Sequence, residues 1–164
     1  MGHPGRPRKC EPAVYNLRMN IYSNDFDGAK ATLKEFGIDA TDGEGRTALL
    51  NSVIENKVDF IYWLVENGAN VNHQDRIGYS ALHFIAEKQM ADMAKYFLDK
   101  GSNPNLQDIH GNTPLWTAVF NSKETKDIVT LLVRSGANPD IVNKYDKTPR
   151  IMFQTFYNND IPSF

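Results

Sequence analysis

One cysteine, Cys10, stands in the whole of the 164 residues, so no disulfide can close within the chain and a reducing compartment suits it. No apolar run approaches the roughly 18 residues of a membrane span, and membrane insertion is not expected. The first ten residues carry positive charge with no apolar segment behind it, which fails as a secretory signal. Arg6 stands where myristoylation of Gly2 would want Ser or Thr. A cytoplasmic location is expected, or a periplasmic one if a native leader has been removed. Neither sign of charge dominates: 18 Lys and Arg face 20 Asp and Glu, a net charge of −2. No global field therefore draws the chain to nucleic acid or an anionic membrane. Residues 1–12 carry Arg6, Arg8 and Lys9 against Glu11, and the remainder is mildly acidic. With 41% hydrophobic and 23% charged residues, the composition is that of one folded domain rather than a disordered chain.

Recognisable chemistry is also missing. The four histidines, His3, His73, His83 and His110, do not pair at metal-ligand spacing, and no metal or cofactor is expected. There is no phosphate-binding glycine loop, no nucleophile elbow and no His-Glu-x-x-His. The carboxylates lie in turns and at helix starts, where capping accounts for them. His73 and His110 fall in loops, where solvation or partner contact is the expected role. No catalysis and no small-molecule substrate are expected.

What the sequence does have is a period. Gly45, Gly78 and Gly111 are 33 residues apart, as are Asp42, Asp75 and Asp108, then Thr47, Ser80 and Thr113, then Leu49, Leu82 and Leu115. Gly68 and Gly101 keep the step, whereas Gly101 to Gly136 is 35, so two extra residues enter the third unit near Asn121–Lys126. Fixed-period self-similarity is the mark of a repeat architecture. Each Asp-x-x-Gly predicts a tight turn with positive φ at glycine. Thr47, Ser80 and Thr113 are predicted helix N-caps, with Pro114 in a first helical position. A short first helix such as Ala81–Lys88 follows. A second helix is predicted over Asp59–Glu66, Asp92–Asp99 and Asp127–Arg134, ended by Gly68, Gly101 and Gly136. The polar stretches Asn70–Gly78, Ser102–Gly111 and Asn138–Asp146 are expected to project as hairpin loops.

Gly-x-Thr-Pro-Leu at 111–115, Ser-Ala-Leu-His at 80–83 and Asn-Gly-Ala-Asn-Val-Asn at 67–72 resemble the ankyrin repeat. The resemblance covers residues 42–142 and extends into flanking half-units. It implies an all-α fold, an ankyrin-repeat solenoid of stacked helix-turn-helix units with projecting hairpin loops. A tetratricopeptide array has a similar period but lacks the Asp-x-x-Gly turn and the Gly-Ala-Asn step. The implied organisation is a disordered basic tail or cloning remnant at 1–12 and an N-terminal capping repeat at 13–41. Repeats follow at 42–74, 75–107 and 108–142, the last with the insertion, and a C-terminal capping half-repeat at 143–164. Terminal units of a solenoid face water on one side. Helical patterns at Val14–Ile21 and Asp27–Phe36 supply Leu17, Met19, Ala29, Leu33 and Phe36 to cover the first full unit. At the far end Arg150 stands where the other units have leucine, Asp146 replaces the turn glycine, and Ile151, Phe153 and Phe156 form a partial lid. By the same resemblance His83 bonds turn backbone. Trp116, which replaces that histidine in the third unit, is expected to pack between units, and Trp63 in the core or on an outer face.

Ankyrin proteins bind through hairpin tips and the exposed face of the first helices, so the resemblance implies a protein partner. In this register the partner-binding residues are Glu44, Arg46, Ile54, Glu55, Arg76, Ile77, Tyr79, Glu87, Lys88, Ile109, His110, Asn112, Phe120, Asn121, Tyr145 and Lys147. Ile77, Tyr79, Ile109, Phe120 and Tyr145 are apolar or aromatic at positions the fold need not bury, and such side chains make interface hot spots. The Asn-x-Asn steps, the Pro-Leu-Trp-Thr-Ala-Val segment at 114–119 and the small size are similar to bacterial ankyrin proteins, some of them immunity factors. A cognate toxin or effector neutralised by docking is the specific expectation, with an adaptor joining cellular proteins as the alternative. A monomer is expected when free. Gly5-Arg6-Pro7-Arg8-Lys9 is similar to an AT-hook, but Pro4 stands where that motif wants Arg and three charges bind DNA weakly. Nucleic acid is therefore not the expected partner.

Overall fold

The structure, a computed structural model, describes residues 12–122 and 127–158. It divides into two compact units, Met1–Arg76 and Ile77–Phe164. The AT-hook-like segment and part of the insertion, 123–126, lie outside the described residues. Among the described residues the fold is all-α, with an isolated antiparallel bridge from Thr41 to Thr47 in place of any strand.

The first unit holds α1 (Pro12–Tyr22), α2 (Phe26–Phe36), α3 (Ala48–Ile54) and α4 (Val58–Glu66). They pair as the hairpins α1·α2 and α3·α4, with α1 beside α3. Helices this short are marginal alone and stand on their packing. Leu17, Ile21, Ala29, Leu33, Leu49, Leu50, Val53, Phe60, Ile61 and Leu64 are buried. Two of the five residues expected to cover this core do not do so fully: Met19 is exposed and Phe36 half-buried. The buried stripe of α1 is Val14, Leu17 and Ile21, a helical spacing that turns Met19 outward. Trp63 is half-buried on an outer face, stacked on Phe60 with centroids 5.5 Å apart and with Lys30 Nζ 5.2 Å from its ring.

The second unit holds α5 (Ala81–Glu87), α6 (Ala91–Asp99), α7 (Pro114–Asn121), α8 (Asp127–Arg134) and α9 (Pro149–Tyr157). First helices stack as α5·α7·α9 and second helices as α6·α8. Its core contains Leu82, Ile85, Phe97, Leu115, Val119, Ile128, Leu132, Met152 and Phe153. Of the expected lid only Phe153 is buried; Ile151 and Phe156 face solvent, and Met152 supplies the other buried contact. Five residues separate α7 from α8, against three between α5 and α6, and α7 and α8 still stack on α5 and α6.

Caps and turns follow the sequence closely. Thr47, Thr113 and Thr148 each accept a hydrogen bond from the third residue of the following helix, satisfying one of the otherwise orphaned N–H groups. Gly68, Gly101 and Gly136 end the second helices with φ of 88°, 84° and 89°. In the tips, Asp42 Oδ1 accepts from the N–H groups of Glu44 (2.9 Å) and Arg46 (3.0 Å). Asp108 does the same for His110 and Asn112, each at 2.8 Å. Asn143 repeats it for Tyr145 and Lys147 at 2.9 and 3.1 Å. The fourth tip residue takes positive φ: 73° at Gly45, 80° at Gly78 and Gly111, and 56° at Asp146.

Candidate functional site

Within each unit adjacent tips are tied through the backbone. Arg76 N–H donates to the Glu44 carbonyl at 3.1 Å in the first unit. In the second, Ile109 N–H donates to Ile77 and Lys144 N–H to His110, both at 2.9 Å. The approach is close enough that a Cβ on Gly78 would stand 2.8 Å from Asp108 Cα, and one on Gly111 3.0 Å from Asn143 Cα. Side chains brace the same loops. Ser80 N–H donates to His83 Nδ1 at 3.1 Å, which leaves the proton on Nε2, 3.1 Å from the Asn112 carbonyl. His83 thus bonds turn backbone. His73, expected to be solvated or partner-contacting, is instead half-buried, its Nε2 2.8 Å from the Gly45 carbonyl.

On this braced frame the second unit presents Ile77, Ile109, Phe120 and Tyr145, all exposed; Phe120 is 65% and Tyr145 62% accessible. Tyr145 stacks on His110 with centroids 6.1 Å apart, and its hydroxyl lies 3.2 Å from His110 Nδ1. Beside Phe120 opens a cavity of about 330 Å³ lined by Tyr79, Glu87, Asn112, Trp116 and Asn121 among others. Five of the side chains expected at a binding face, Phe120 included, therefore border one depression. Trp116 is half-buried at its wall, so the expectation that it packs away between units is not met. Tyr79 is also less free than its position suggested. Its ring stacks on His83 at 5.0 Å and meets Phe84 edge-on at 5.1 Å, which leaves it half-buried. Asn112 accepts from Asn143 Nδ2 at 2.8 Å, and Asn121 Nδ2 donates to the Thr117 carbonyl at 2.9 Å. Glu87, Lys88 and Lys147 are exposed.

In the first unit several expected contact residues are engaged inside the fold. Arg46 Nε lies 3.2 Å from the buried Asp75 carboxylate, so this guanidinium ties two tips together. Glu55 lies 3.7 Å from Arg18, and Ile54 is half-buried. Arg76 Nη1 donates to the Gly43 carbonyl at 3.1 Å. Glu44 is exposed. The sequence reading missed Tyr15, Arg18, Met19 and Tyr22 of α1, which line a cavity of about 480 Å³ with Asp42, Gly43, Glu44 and Glu55. The i, i+4, i+7 spacing of Tyr15, Met19 and Tyr22 could have revealed a second apolar stripe.

No cluster of three or more potential metal ligands occurs among the described residues, and none of their helices is long and apolar enough to cross a membrane. A family model for ankyrin repeats (3 copies) matches residues 17–108 and 55–143. The chain belongs to the ankyrin-repeat family. Ankyrin repeats form protein–protein interaction modules. The chain is 40% identical over 80 residues, 48% of its length, to a putative ankyrin repeat protein of Acanthamoeba polyphaga mimivirus, covering 19% of that protein. It is 39% identical over 111 residues, 64% of its length, to a putative ankyrin repeat protein of Rickettsia bellii, covering 31% of it. Over 120 residues, 73% of its length, it is 32% identical to the neurogenic locus notch homolog protein 1 of Danio rerio, covering 5% of it. The chain thus spans less than a third of the length of each of these relatives.

Proposed function

We propose that this ankyrin module holds a partner protein chiefly through the second unit, with Ile77, Ile109, Phe120 and Tyr145 as anchors and Glu87, Lys88 and Lys147 as rim. One observation carries the reading. Four large apolar or aromatic side chains stand in solvent, three on tips tied by backbone hydrogen bonds and Phe120 on a helix packed within the stack. Single exposed apolar residues need no explanation. Anchors on a hydrogen-bonded frame, one of them (Phe120) lining a cavity with Tyr79 and Trp116, suit a binding face, because little conformational entropy is lost on docking. Glu44 and Arg76 extend the candidate set in the first unit. The test is the Ile109→Ala/Phe120→Ala double variant, whose exposed positions leave the fold intact. Partner affinity is expected to fall by about 30-fold to a thousandfold, given hot-spot contributions of about 2 kcal/mol each that need not add fully. Unchanged affinity in the folded variant would refute the assignment.

The same face serves an inhibitor and an adaptor. The likeness to small bacterial ankyrin proteins supports an immunity protein that docks on a toxin and blocks it in the cytoplasm. The viral, bacterial and animal relatives, all much longer than the matched segment, favour a general adaptor. Co-expression with a toxin encoded beside it separates the two. An immunity protein protects the cells and binds that toxin; an adaptor does neither.

A further inference from the structure

The α1 groove of the first unit carries an inference about the partner's chemistry, and it rests on the protein-binding function proposed above. Tyr15, Met19 and Tyr22 share one face of α1, and the two tyrosines are 67% and 61% accessible. Val14, Leu17 and Ile21 already supply the helix's contribution to the core, so this second stripe lies outside the core and largely in solvent. It supplies the apolar lining of the 480 Å³ cavity, whose charged lining is three carboxylates, Asp42, Glu44 and Glu55, against one cation, Arg18.

The charges there are not equivalent. Glu55 faces Arg18 at 3.7 Å. Both oxygens of Asp42 are occupied, by the Glu44 and Arg46 N–H groups and by Asn51 Nδ2 at 3.0 Å. The Glu44 carboxylate has neither a hydrogen bond nor an ion pair among the described residues, and its side chain is exposed at the cavity edge. An acidic ligand would be repelled by this negative lining, and a wholly apolar one would strip water from carboxylates without replacing it. A lysine or arginine suits both linings at once. Its methylene stem lies on apolar surface, its cation attracts the face of a tyrosine, and its head reaches Glu44.

We propose that the α1 groove receives a basic segment of a partner protein, a lysine or arginine flanked by apolar side chains, held by Tyr15 and Tyr22 together with Glu44. Panning a random 12-residue peptide display library on the full chain tests this, with binders re-measured on Tyr15→Ala/Tyr22→Ala, Glu44→Lys and Phe120→Ala. All four positions are exposed, and circular dichroism checks that each variant folds. The expected result is a class of peptides rich in Lys or Arg beside apolar residues. These peptides bind at least about tenfold more weakly to the double tyrosine variant and to Glu44→Lys, weaken with added salt, and are unaffected by Phe120→Ala. If binders are obtained but none depends on the tyrosines, or those that do are acidic or uncharged, the groove assignment is overturned while the binding function stands. If no peptide binds the chain at all, the groove assignment is likewise overturned, and the binding function is judged by the Ile109→Ala/Phe120→Ala variant.

Discussion

Replacing Gly78 with alanine should destabilise the second unit far more than the same change at Gly101, although the two glycines have nearly the same backbone angle. Their φ values are 80° and 84°, so an L-residue at either meets the left-handed penalty of about 1–2 kcal/mol. Around Gly101 a Cβ would find nothing within 4 Å, and the cost ends there. At Gly78 it would lie 2.8 Å from Asp108 Cα and 3.1 Å from both Asp108 C and Ile109 N. These are backbone atoms that cannot rotate away, so the neighbouring tip must shift. The Ile109 N–H to Ile77 carbonyl bond lies within the displaced segment, and its loss adds about 1 kcal/mol. Gly78→Ala is therefore expected to cost about 3 kcal/mol or more, against about 1–2 kcal/mol for Gly101→Ala. Urea unfolding followed by circular dichroism measures both, with a constant slope as the check that stability alone has changed. Equal costs for the two variants would refute the claim that tips require glycine for close approach as well as for φ.

Other predictions concern the caps, the end of the stack and acid. Thr113→Ala removes the oxygen that accepts from Trp116 N–H, and thermal unfolding should show a loss of about 1 kcal/mol. Phe153→Ala empties one of the largest fully buried positions; a loss of about 3–5 kcal/mol is expected, and α9 should lose amide-exchange protection first. Arg150 donates to both Asp140 oxygens, at 2.7 and 3.0 Å, and this hydrogen bonding holds the Asp140 carboxyl below the ordinary carboxylate range. A depressed folded-state value means that the contribution is present above the unfolded carboxylate's pKa and disappears as pH falls through the folded one. Urea midpoints of wild type and Asp140→Asn should therefore differ slightly at neutral pH and converge in acid. The difference is small because the pair is exposed, and a gap that widens in acid would contradict it.

The features legible in the sequence were those with local causes. Asp-x-x-Gly fixes a tip because the carboxylate takes two N–H groups within four residues and glycine alone enters the left-handed region freely. Asp146 at φ 56° obeys the same rule by the tolerance of Asp for that region. What was illegible depends on distant neighbours. α1 carries two apolar stripes, Val14-Leu17-Ile21 and Tyr15-Met19-Tyr22, and spacing alone does not say which one the core takes; Met19, expected in the core, lies on the exposed one. α9 poses the same ambiguity, resolved by burial of Met152 and Phe153 rather than Ile151 and Phe156. Arg46 and His73 lie in loops and read as available, yet each finds a partner in another loop, Asp75 and the Gly45 carbonyl. At the second unit's face the register put Ile109, Phe120 and Tyr145 in solvent correctly, since tip and helix positions repeat with the period.

The central claim is that a partner protein seats on the tips and first helices of this ankyrin module. Site-specific photo-crosslinking in cells tests it most directly, with p-benzoylphenylalanine placed singly at Ile109, at Phe120 and, as a control, at the exposed Lys95 of α6. The account predicts a crosslinked protein species at Ile109 and Phe120 that is absent at Lys95. A species captured at Lys95 but not at the other two positions would contradict it.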